Sequence, residues 1–264
     1  MAKKRATYSE KEYNRRVKEG RGKGTGKEYK PWITIHDFPS SGNVTRILGR
    51  TTGRIHHLLS GLESDYFLIL DYNSEVVDIR EQYPLLFEET VKLAQTMNIR
   101  HPRKPGELFP TVMTTDFLIT LKNGKSIARS VKPSSDLENE RVCKKLMLER
   151  EYWSRRGVDW KIVTEKEINR DMTMNLRWLY YGSEELPTEE YKRYETAFLE
   201  CYQDKNLSFT TILEIIEEAF NLPHGTGMKI FRWMVLNEKI SLDLQHPICL
   251  TEPRSFAQHS RRVY

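Results

Sequence analysis

Two strand-like runs joined by a tight turn constrain the fold of this chain more than any other feature of its sequence. Residues 111–121 (TVMTTDFLITL) and 125–133 (KSIARSVKP) are rich in β-branched and apolar residues, which favour strands. Asn123-Gly124 lies between them, and this dipeptide is typical of the short turns that connect antiparallel strands. The sequence therefore predicts a β-hairpin.

The segments around this hairpin indicate an α/β arrangement. Apolar residues at helical spacing predict a helix over residues 53–71, and residues 75–80 have the composition of a strand. Residues 87–100 form either a short helix or an irregular insertion. A long helix is predicted over residues 137–157 and a further strand over 159–168. This order predicts an α/β sandwich with a mixed sheet.

The pattern changes to mainly helical after about residue 168. Two short strands around a turn are predicted after the last helix, and helices that end in a small hairpin favour a winged-helix-like domain. We therefore divide the chain into a basic N-terminal arm (1–44), an α/β domain (45–168) and a helical domain (169–264). The four predicted helices of the last domain cover residues 171–180, 189–202, 209–220 and 227–237.

The positive charge of the chain is concentrated at its N-terminus. Residues 1–30 hold eleven Lys or Arg side chains against four Glu, a net charge of +7, so the other 234 residues sum to −2. Within the arm, a short helix with Ser9 as its N-cap precedes a glycine-rich stretch (EGRGKGTGK) that we expect to be mobile. A basic arm on a near-neutral body is typical of proteins that bind the phosphate backbone of DNA, although a solubilising tail is the alternative. The residues expected to contact DNA are Arg15, Arg16, Arg21, Lys23 and Lys27.

Composition excludes several classes of protein. The mean hydropathy is −0.63 and no long apolar run occurs, which argues against a membrane span. The N-terminal residues lack the apolar stretch of a secretory signal. The three cysteines, Cys143, Cys201 and Cys249, lie far apart, which argues against structural zinc and predicts a reducing compartment. We therefore expect a cytoplasmic protein.

An acid and a lysine on the predicted hairpin indicate chemistry on phosphodiesters. Asp116 lies on the first strand and Lys132 on the second, so the hairpin can bring them to one edge of the sheet. Strand alternation places Ser130 and Lys132 on one face and turns Val131 towards the core. With Glu63 on a preceding helix, two acids could hold Mg²⁺ while the lysine supports the attacking hydroxide and the developing negative charge. Each of these residues alone has an ordinary structural explanation. Only the combination of Glu63, Asp116 and Lys132 predicts metal-dependent cleavage of phosphodiesters.

Other polar residues are weaker candidates. On the predicted helix, His56 and His57 point in different directions and no further ligand lies nearby, so packing or a phosphate contact is expected for them. Residues 80–82 (Arg-Glu-Gln) follow a strand and either orient the acids, contact DNA or form a structural ion pair. Glu149 lies on the polar face of the long helix, where it could orient the metal ligands without binding the metal itself.

Several linked motifs resemble the TnsA family, the endonuclease subunits of heteromeric cut-and-paste bacterial transposons. The resemblance is dense over residues 9–180 and looser beyond, and several motifs in one order are more specific than any one of them. Its motifs are KEGRGKGTGKEYKPW (18–32), GRIHHLLSGLE (53–63), DIREQYPLL (78–86), TTDFL (114–118), VKP (131–133), LMLEREYW (146–153) and WKIVTEKEIN (160–169).

The resemblance implies a restriction-endonuclease-like catalytic domain, a winged-helix-like C-terminal domain, and hydrolysis of the 5′ strands at transposon ends. It implies that Glu63 and Asp116 bind Mg²⁺, with Mn²⁺ as a substitute, and that Lys132 is catalytic. The implied partners are double-stranded DNA at the transposon ends, a DDE-type transposase (TnsB), and an ATPase regulator (TnsC) that binds the C-terminal region. A non-catalytic DNA-binding or assembly subunit and a free-standing restriction or repair nuclease are the alternatives.

One position departs from the family pattern. Ser130 stands where the family has a glutamine that supplies an oxygen facing the metal. A serine hydroxyl is shorter and a weaker Mg²⁺ ligand than an amide oxygen. We expect a water molecule or the backbone carbonyl of Val131 to complete the metal's ligand shell, and the alternative is that Ser130 marks an inactivated protein.

Overall fold

The computed structural model describes residues 10–37, 43–103, 108–180 and 188–254. Contacts between residues divide the chain into two units, residues 1–168 and residues 169–264. The first unit contains a four-stranded sheet with helices, and the second unit is helical in its described part. The two units differ in architecture and each has its own core.

The first unit is built around one mixed sheet. Its four strands are β3 (Val76–Pro84), β4 (Thr114–Leu121), β5 (Ser126–Val131) and β6 (Asp159–Val163), which lie side by side in this order. Every neighbouring pair is antiparallel except β5 and β6, which are parallel. The predicted α/β arrangement with a mixed sheet is therefore confirmed. In chain order, the elements of the unit are α1 (Glu10–Lys18), β1 (Thr45–Leu48), β2 (Ile55–Leu58), α2 (Gly61–Tyr72), β3 (Val76–Pro84), α3 (Phe87–Thr96), β4 (Thr114–Leu121), β5 (Ser126–Val131), α4 (Glu140–Ser154) and β6 (Asp159–Val163).

The hairpin predicted from the sequence is formed by β4 and β5. Phe117 lies opposite Arg129 in the register, and the backbone N–H of Leu121 donates to the carbonyl of Lys125 at 2.9 Å. Gly124 has a φ of 77°, a left-handed conformation that glycine adopts without steric cost. The turn dipeptide therefore fixes the pairing that brings the two strand ends together.

The helix predicted over residues 53–71 is wrong in its first third. Residues 55–58 form β2, which pairs with β1, and α2 begins only at Gly61. Burial alternates along this strand, since His56 and Leu58 are fully buried while Ile55 is half-exposed. Ser60 accepts a hydrogen bond from the backbone N–H of Glu63 and so starts the helix. The apolar residues on which the prediction depended span two elements.

Other predicted boundaries shift by a few residues. The strand predicted over 75–80 continues to Pro84, and the strand predicted over 159–168 ends at Val163. Residues 87–96 are helical, which decides between the two alternatives for that segment. The long helix begins at Glu140, because the Asn139 side chain accepts hydrogen bonds from the first backbone N–H groups.

Helices α3 and α4 contact each other, and buried residues of both helices form a core with the sheet. The hydroxyl of Tyr152 on α4 accepts a hydrogen bond from the backbone N–H of Leu86, just before α3. This core keeps α4 in contact with the strands that carry the polar residues of interest. Its buried members are Leu85, Leu93, Ala94, Met113, Leu118, Ala128, Leu148, Tyr152 and Trp153.

The glycine-rich segment, expected to be a mobile loop, packs against β3 within the first unit. The backbone N–H of Gly22 donates to the carbonyl of Lys30 at 2.6 Å, and that of Gly26 donates to the Asp78 carboxylate at 3.1 Å. A Cβ on Gly22 would lie 2.2 Å from Pro84, so only glycine fits there. Backbone packing against β3 therefore holds the segment in place. The predicted N-cap at Ser9 lies outside the described residues.

The second unit contains four helices in its described part, near the predicted positions. Aromatic side chains fill its centre, where Phe198, Phe209 and Phe231 are buried and lie in ring contact. The helices are α5 (Arg170–Tyr180), α6 (Thr188–Gln203), α7 (Phe209–Ala219) and α8 (Thr226–Leu236).

The two short strands predicted after α8 are wrong, because residues 238–254 contain no strand. Backbone groups of this segment bond to helices instead of to one another. The Asn175 amide donates to the carbonyls of Leu244 and His246, and the backbone N–H of Thr210 donates to the carbonyl of Leu250. A winged-helix arrangement is therefore not confirmed by the described residues. None of the helices in the described ranges is long and apolar enough to cross a membrane.

Candidate active site

Glu63 is held at the N-terminus of α2 by a reciprocal cap. Its backbone N–H donates to the Ser60 hydroxyl at 3.1 Å, while its carboxylate accepts from that hydroxyl and from the backbone N–H of Leu59 at 3.0 Å. The side chain is buried, with 6% of the residue exposed. Burial and the negative charge of Asp116 raise the pKa of Glu63 to about 7. Its ionised form is therefore electrostatically unfavourable unless a cation is nearby.

Asp116 and Lys132 meet where β4 begins and β5 ends, as the hairpin predicts. The lysine ammonium donates to Asp116 Oδ2 at 2.7 Å and to the carbonyl of Val131 at 2.7 Å. The backbone N–H of Val131 donates to the same carboxylate oxygen at 2.7 Å. Burial alone would lower the pKa of Lys132, but the charge and hydrogen bond of Asp116, together with the charges of Glu63 and Glu149, outweigh burial and raise that pKa. The lysine is therefore a permanent cation at the edge of the site.

Gln82 on β3 joins Glu63 to Asp116. Its side-chain Nε2 lies 3.3 Å from Asp116 Oδ1 and 3.5 Å from Glu63 Oε2. Its Oε1 accepts a hydrogen bond from the Thr114 hydroxyl at 3.0 Å. The amide thus connects the two acids that the sequence analysis placed in one site.

Ser130 contacts Glu149 on α4. Its hydroxyl lies 2.5 Å from Glu149 Oε1, which also accepts from the Thr115 hydroxyl at 2.6 Å. The indole N–H of Trp160 donates to Ser130 at 3.0 Å. Burial, then the charge of Asp116, raise the pKa of Glu149. Ser130 therefore contacts Glu149, while Lys132, one residue beyond the end of β5, contacts Asp116. Val131 between them is buried, as predicted.

The donor set fits a magnesium ion. Mg²⁺ is typically bound by one or two protein carboxylates and keeps several waters, and Glu63 and Asp116 supply two acids with only one lysine charge beside them. The Val131 carbonyl is a third oxygen at the same strand end. Among the described residues, no group of three or more His, Cys, Asp and Glu side chains is arranged to hold a metal. The set is therefore sparse, which suits an ion that also binds water and a substrate phosphate.

A second polar cluster surrounds Glu81, the neighbour of Gln82. Glu81 is fully buried and accepts two hydrogen bonds from the Arg54 guanidinium, at 2.8 and 2.5 Å. It also contacts His56 Nδ1 at 2.8 Å and accepts from the backbone N–H of His57 at 3.1 Å. Burial would raise the pKa of Glu81, but His56 and Arg54 outweigh it and lower that pKa to about 2. The expected packing role of His56 agrees with these contacts, although the residue lies on a strand.

The basic residues expected to bind DNA fall into two groups, of which the first is internal. Arg16 is buried and donates to the carbonyl of Trp32 at 3.0 Å, and it lies 3.5 Å from Asp37. Arg21 donates to the same carbonyl at 3.1 Å and forms an ion pair with Asp37. These two guanidiniums hold the glycine-rich segment together, so their first role is structural.

The second group remains on the surface. Arg15 is half-exposed but paired with two glutamates of its own helix region, Glu12 and Glu19. Lys23 and Lys27 are exposed and form no ion pair with the residues that the structure describes. Among the five residues, these two lysines are therefore best placed to contact a phosphate backbone.

Two residues of the site were not selected from the sequence. Gln82 was one of three neighbours with several open explanations, and no sequence pattern reveals that its backbone turns the amide into the site. Glu149 was assigned to a polar helix face, yet only 2% of it is exposed. Its spacing from the buried Leu146 and Trp153, three before and four after, does indicate the inner face of α4.

Comparisons with known proteins identify the family of the chain. Residues 73–165 match the family model described as TnsA-like endonuclease N terminal, and residues 167–244 match that described as TnsA endonuclease C terminal. The chain is 39% identical over 247 residues to the transposon Tn7 transposition protein TnsA of Escherichia coli, covering 92% of this chain and 90% of that protein. This similarity extends across both units, so the chain belongs to the TnsA family of transposition endonucleases.

Proposed function

We propose that this chain is the Mg²⁺-dependent endonuclease subunit of a heteromeric transposase and hydrolyses the 5′ strands at transposon ends. The observation that supports this most directly is the meeting of Glu63, Asp116 and Lys132 through hydrogen bonds and one bridging amide. Membership of the TnsA family supports DNA as the substrate class. We further propose that the first unit has a restriction-endonuclease-like core.

Each residue has a separate task in this proposal. Glu63 and Asp116, with the carbonyl of Val131, would hold Mg²⁺, which on binding supplies an activated water and stabilises the leaving oxygen. Lys132 places a fixed positive charge beside Asp116, where it can stabilise negative charge that develops on the phosphate. Exposed Lys23 and Lys27 would contact the phosphate backbone.

The partners follow from the same family. We propose that the chain acts with a DDE-type transposase of the TnsB kind, which would cut and join the 3′ strands. We also propose that an ATPase regulator of the TnsC kind binds the helical second unit. In this proposal, the choice of cleavage site would come from these partners.

Strand-specific cleavage of a labelled transposon-end duplex tests the proposal. The chain is mixed with the transposase and Mg²⁺, and the native protein is compared with Asp116→Ala and Lys132→Ala. Asp136→Ala and Lys161→Ala are matched controls, because both side chains are exposed outside the site. We expect 5′ cuts from the native chain and both controls, and none from the two site variants, while 3′ cuts persist.

Two outcomes would reject the nuclease assignment. If the native chain gives no 5′ cuts, or if the cuts survive both site substitutions, the residues named here do not perform the cleavage. A non-catalytic assembly subunit would then be the better description, and Mg²⁺ binding without cleavage would support that description.

A further inference from the structure

Gln82 has an unusual backbone conformation for a residue within a strand. Its φ is 48°, in the left-handed region that residues with a side chain rarely adopt, and the residue is only 3% exposed. Left-handed residues other than glycine persist where the surrounding structure holds them in place, and they cluster at functional sites. The left-handed backbone at Gln82 therefore requires contacts that hold it and suggests a function for the side chain.

The support comes from two sides. The backbone N–H of Trp32 donates to the carbonyl of Gln82 at 3.2 Å, and the Tyr29 hydroxyl donates to the carbonyl of Glu81 at 3.1 Å. The preceding side chain, Glu81, is fixed by the buried Arg54 guanidinium. Tyr29 and Trp32, which follow the glycine-rich segment, and the Glu81 cluster therefore hold the backbone of β3 at this position.

The reason lies in the direction of the amide. Carboxylate oxygens accept hydrogen bonds, so the end of the Gln82 amide that faces Asp116 and Glu63 is the NH₂ group, and Oε1 accepts from the Thr114 hydroxyl. That group lies between Asp116 and Glu63, with one N–H available for each carboxylate. Each acid keeps its remaining lone pairs for another partner.

An amide suits this position because it donates hydrogen bonds without adding charge. A lysine there would neutralise the acids, and a glutamate would add a further negative charge beside them. With a neutral donor, the two acids retain the negative charge that attracts a divalent cation.

We propose that Gln82 is a positioning residue for the metal site: its NH₂ group fixes the orientation of Glu63 and Asp116 so that both carboxylates face one cation. This inference rests on the proposed Mg²⁺-dependent function and assigns a residue to it. Residues that orient metal ligands typically contribute 10- to 100-fold to metal affinity.

Calorimetric titration of the full chain with Mg²⁺ or Mn²⁺, without DNA, tests the proposal. Gln82→Gly removes the amide and relieves the left-handed backbone, and Gln82→Asn tolerates the backbone but has a shorter side chain. We expect both variants to bind either metal about 10- to 100-fold more weakly than the native chain. We expect the thermal midpoint of Gln82→Gly in EDTA to fall, because a buried amide and its hydrogen bonds are lost, so the affinities are compared at a temperature where every variant is folded.

Two further variants separate positioning from a general backbone effect. Asn98→Gly relieves another left-handed residue, with a φ of 52°, outside the site, and its metal affinity should stay native. Thr114→Val removes the hydroxyl that anchors the amide, so its affinity should fall less than that of Gln82→Gly. Because both act through one amide, Gln82→Gly combined with Thr114→Val should bind no more weakly than Gln82→Gly alone.

The inference is overturned if Gln82→Gly and Gln82→Asn bind metal within twofold of the native chain, or if Asn98→Gly loses as much affinity as they do. Cleavage assays on the same samples keep this result distinct from the proposed function. A native chain that cleaves while the Gln82 variants bind metal normally would reject only the positioning role. If metal affinity depends on Gln82 as expected but the native chain makes no 5′ cut, only the proposed nuclease function is rejected.

Discussion

Neighbouring residues on β3, Glu81 and Gln82, belong to two buried polar clusters with opposite charge balance. Around Glu81, one carboxylate is surrounded by the Arg54 guanidinium, the His56 ring and a backbone N–H, and its pKa falls to about 2. Around Gln82, two carboxylates share one lysine and one neutral amide, and the pKa of Glu63 rises to about 7. Burial acts in the same direction on both clusters, so the difference comes from the partners.

This difference separates a cluster whose charges are balanced within the fold from the cluster that we propose binds a metal ion. A buried carboxylate whose hydrogen bonds are satisfied helps to fix the fold, and removing one partner leaves an uncompensated charge. A buried pair of acids with too little positive charge destabilises the folded chain but is ready for a cation. The two clusters should therefore respond in opposite ways to substitution and to pH.

The largest expected effect is on stability, from a substitution in the satisfied cluster. Glu81→Ala leaves the buried Arg54 guanidinium without its carboxylate, and breaking a buried pair in this way typically costs about 3–5 kcal/mol. Chemical denaturation of the first unit, followed by circular dichroism at pH 7.5 in EDTA, measures the loss. Glu75→Ala is the control, because the Glu75 side chain lies just before β3 and is exposed. A loss below 1 kcal/mol would remove the contrast between the clusters.

The next effect is on cleavage, from a substitution in the unsatisfied cluster. Glu63→Gln keeps the size of the side chain but removes a carboxylate expected to bind Mg²⁺, so 5′ cleavage should fall at least about 100-fold, or roughly 3 kcal/mol in the barrier. Rates are measured on the transposon-end duplex with saturating transposase. Asp65→Asn, two residues further along α2, is the control. Native rates in Glu63→Gln would place the metal ligands elsewhere.

The carboxylates of Glu63 and Glu81 should make the free energy of unfolding depend on pH in opposite directions. The folded pKa of Glu63, about 7, lies above its ordinary value of 4.5, so its ionisation destabilises the fold as pH rises from about 4.5 to 7, by roughly 3 kcal/mol. The folded pKa of Glu81, about 2, lies below 4.5, so its contribution is present above pH 4.5 and is lost as pH falls towards 2.

Unfolding free energies in EDTA test this dependence between pH 5 and pH 8. Relative to Glu63→Gln, the native chain should lose about 2–3 kcal/mol over this range, because only the native chain has the titrating carboxylate. Mg²⁺ should restore stability most at pH 8, where the acid is ionised. Parallel pH profiles for the two proteins would show that Glu63 is not strained by burial and by Asp116.

The sequence predicted the hairpin and the contact between Asp116 and Lys132 because both depend on local rules. Asn123-Gly124 fixes the turn, and the turn brings Asp116 close to Lys132. The capping of α2 by Ser60 is equally local, but the apolar spacing that continued back through Leu58 hid the strand before it. Glu63 was therefore placed correctly at a helix whose start was predicted several residues too early.

The remaining parts of the site depend on contacts between segments far apart in the chain. Gln82 is directed into the site by Trp32 and Thr114, fifty residues before and about thirty after it. Arg16 and Arg21 resemble DNA ligands by composition, but in the fold both pair with Asp37, and each also pairs with a glutamate, Glu12 or Glu19. Neither the orientation of Gln82 nor the pairing of the two arginines follows from sequence spacing or charge. Both depend on contacts between distant segments, which the sequence alone does not reveal.

The smallest expected effect concerns Ser130, where this chain departs from the family pattern. Its hydroxyl donates to Glu149 and accepts from Trp160, so Ser130→Ala should lower the unfolding free energy by about 1–2 kcal/mol through lost hydrogen bonds. Mg²⁺ affinity, measured by calorimetry, should stay native, because the contacts of Ser130 are with Glu149 and not with Glu63 or Asp116.

Ser130→Gln sharpens this last prediction. Ser130 is 1% exposed, so the longer side chain must displace its neighbours, and overpacking of this kind typically costs about 1–3 kcal/mol. If the variant instead bound Mg²⁺ more tightly and cleaved faster, Ser130 would be a weakened metal ligand, and the site would include the Glu149 side of the sheet. Unchanged metal dependence in both variants would assign Ser130 to the structural support of Glu149, where charge and hydrogen bonds are again balanced by partners within the fold.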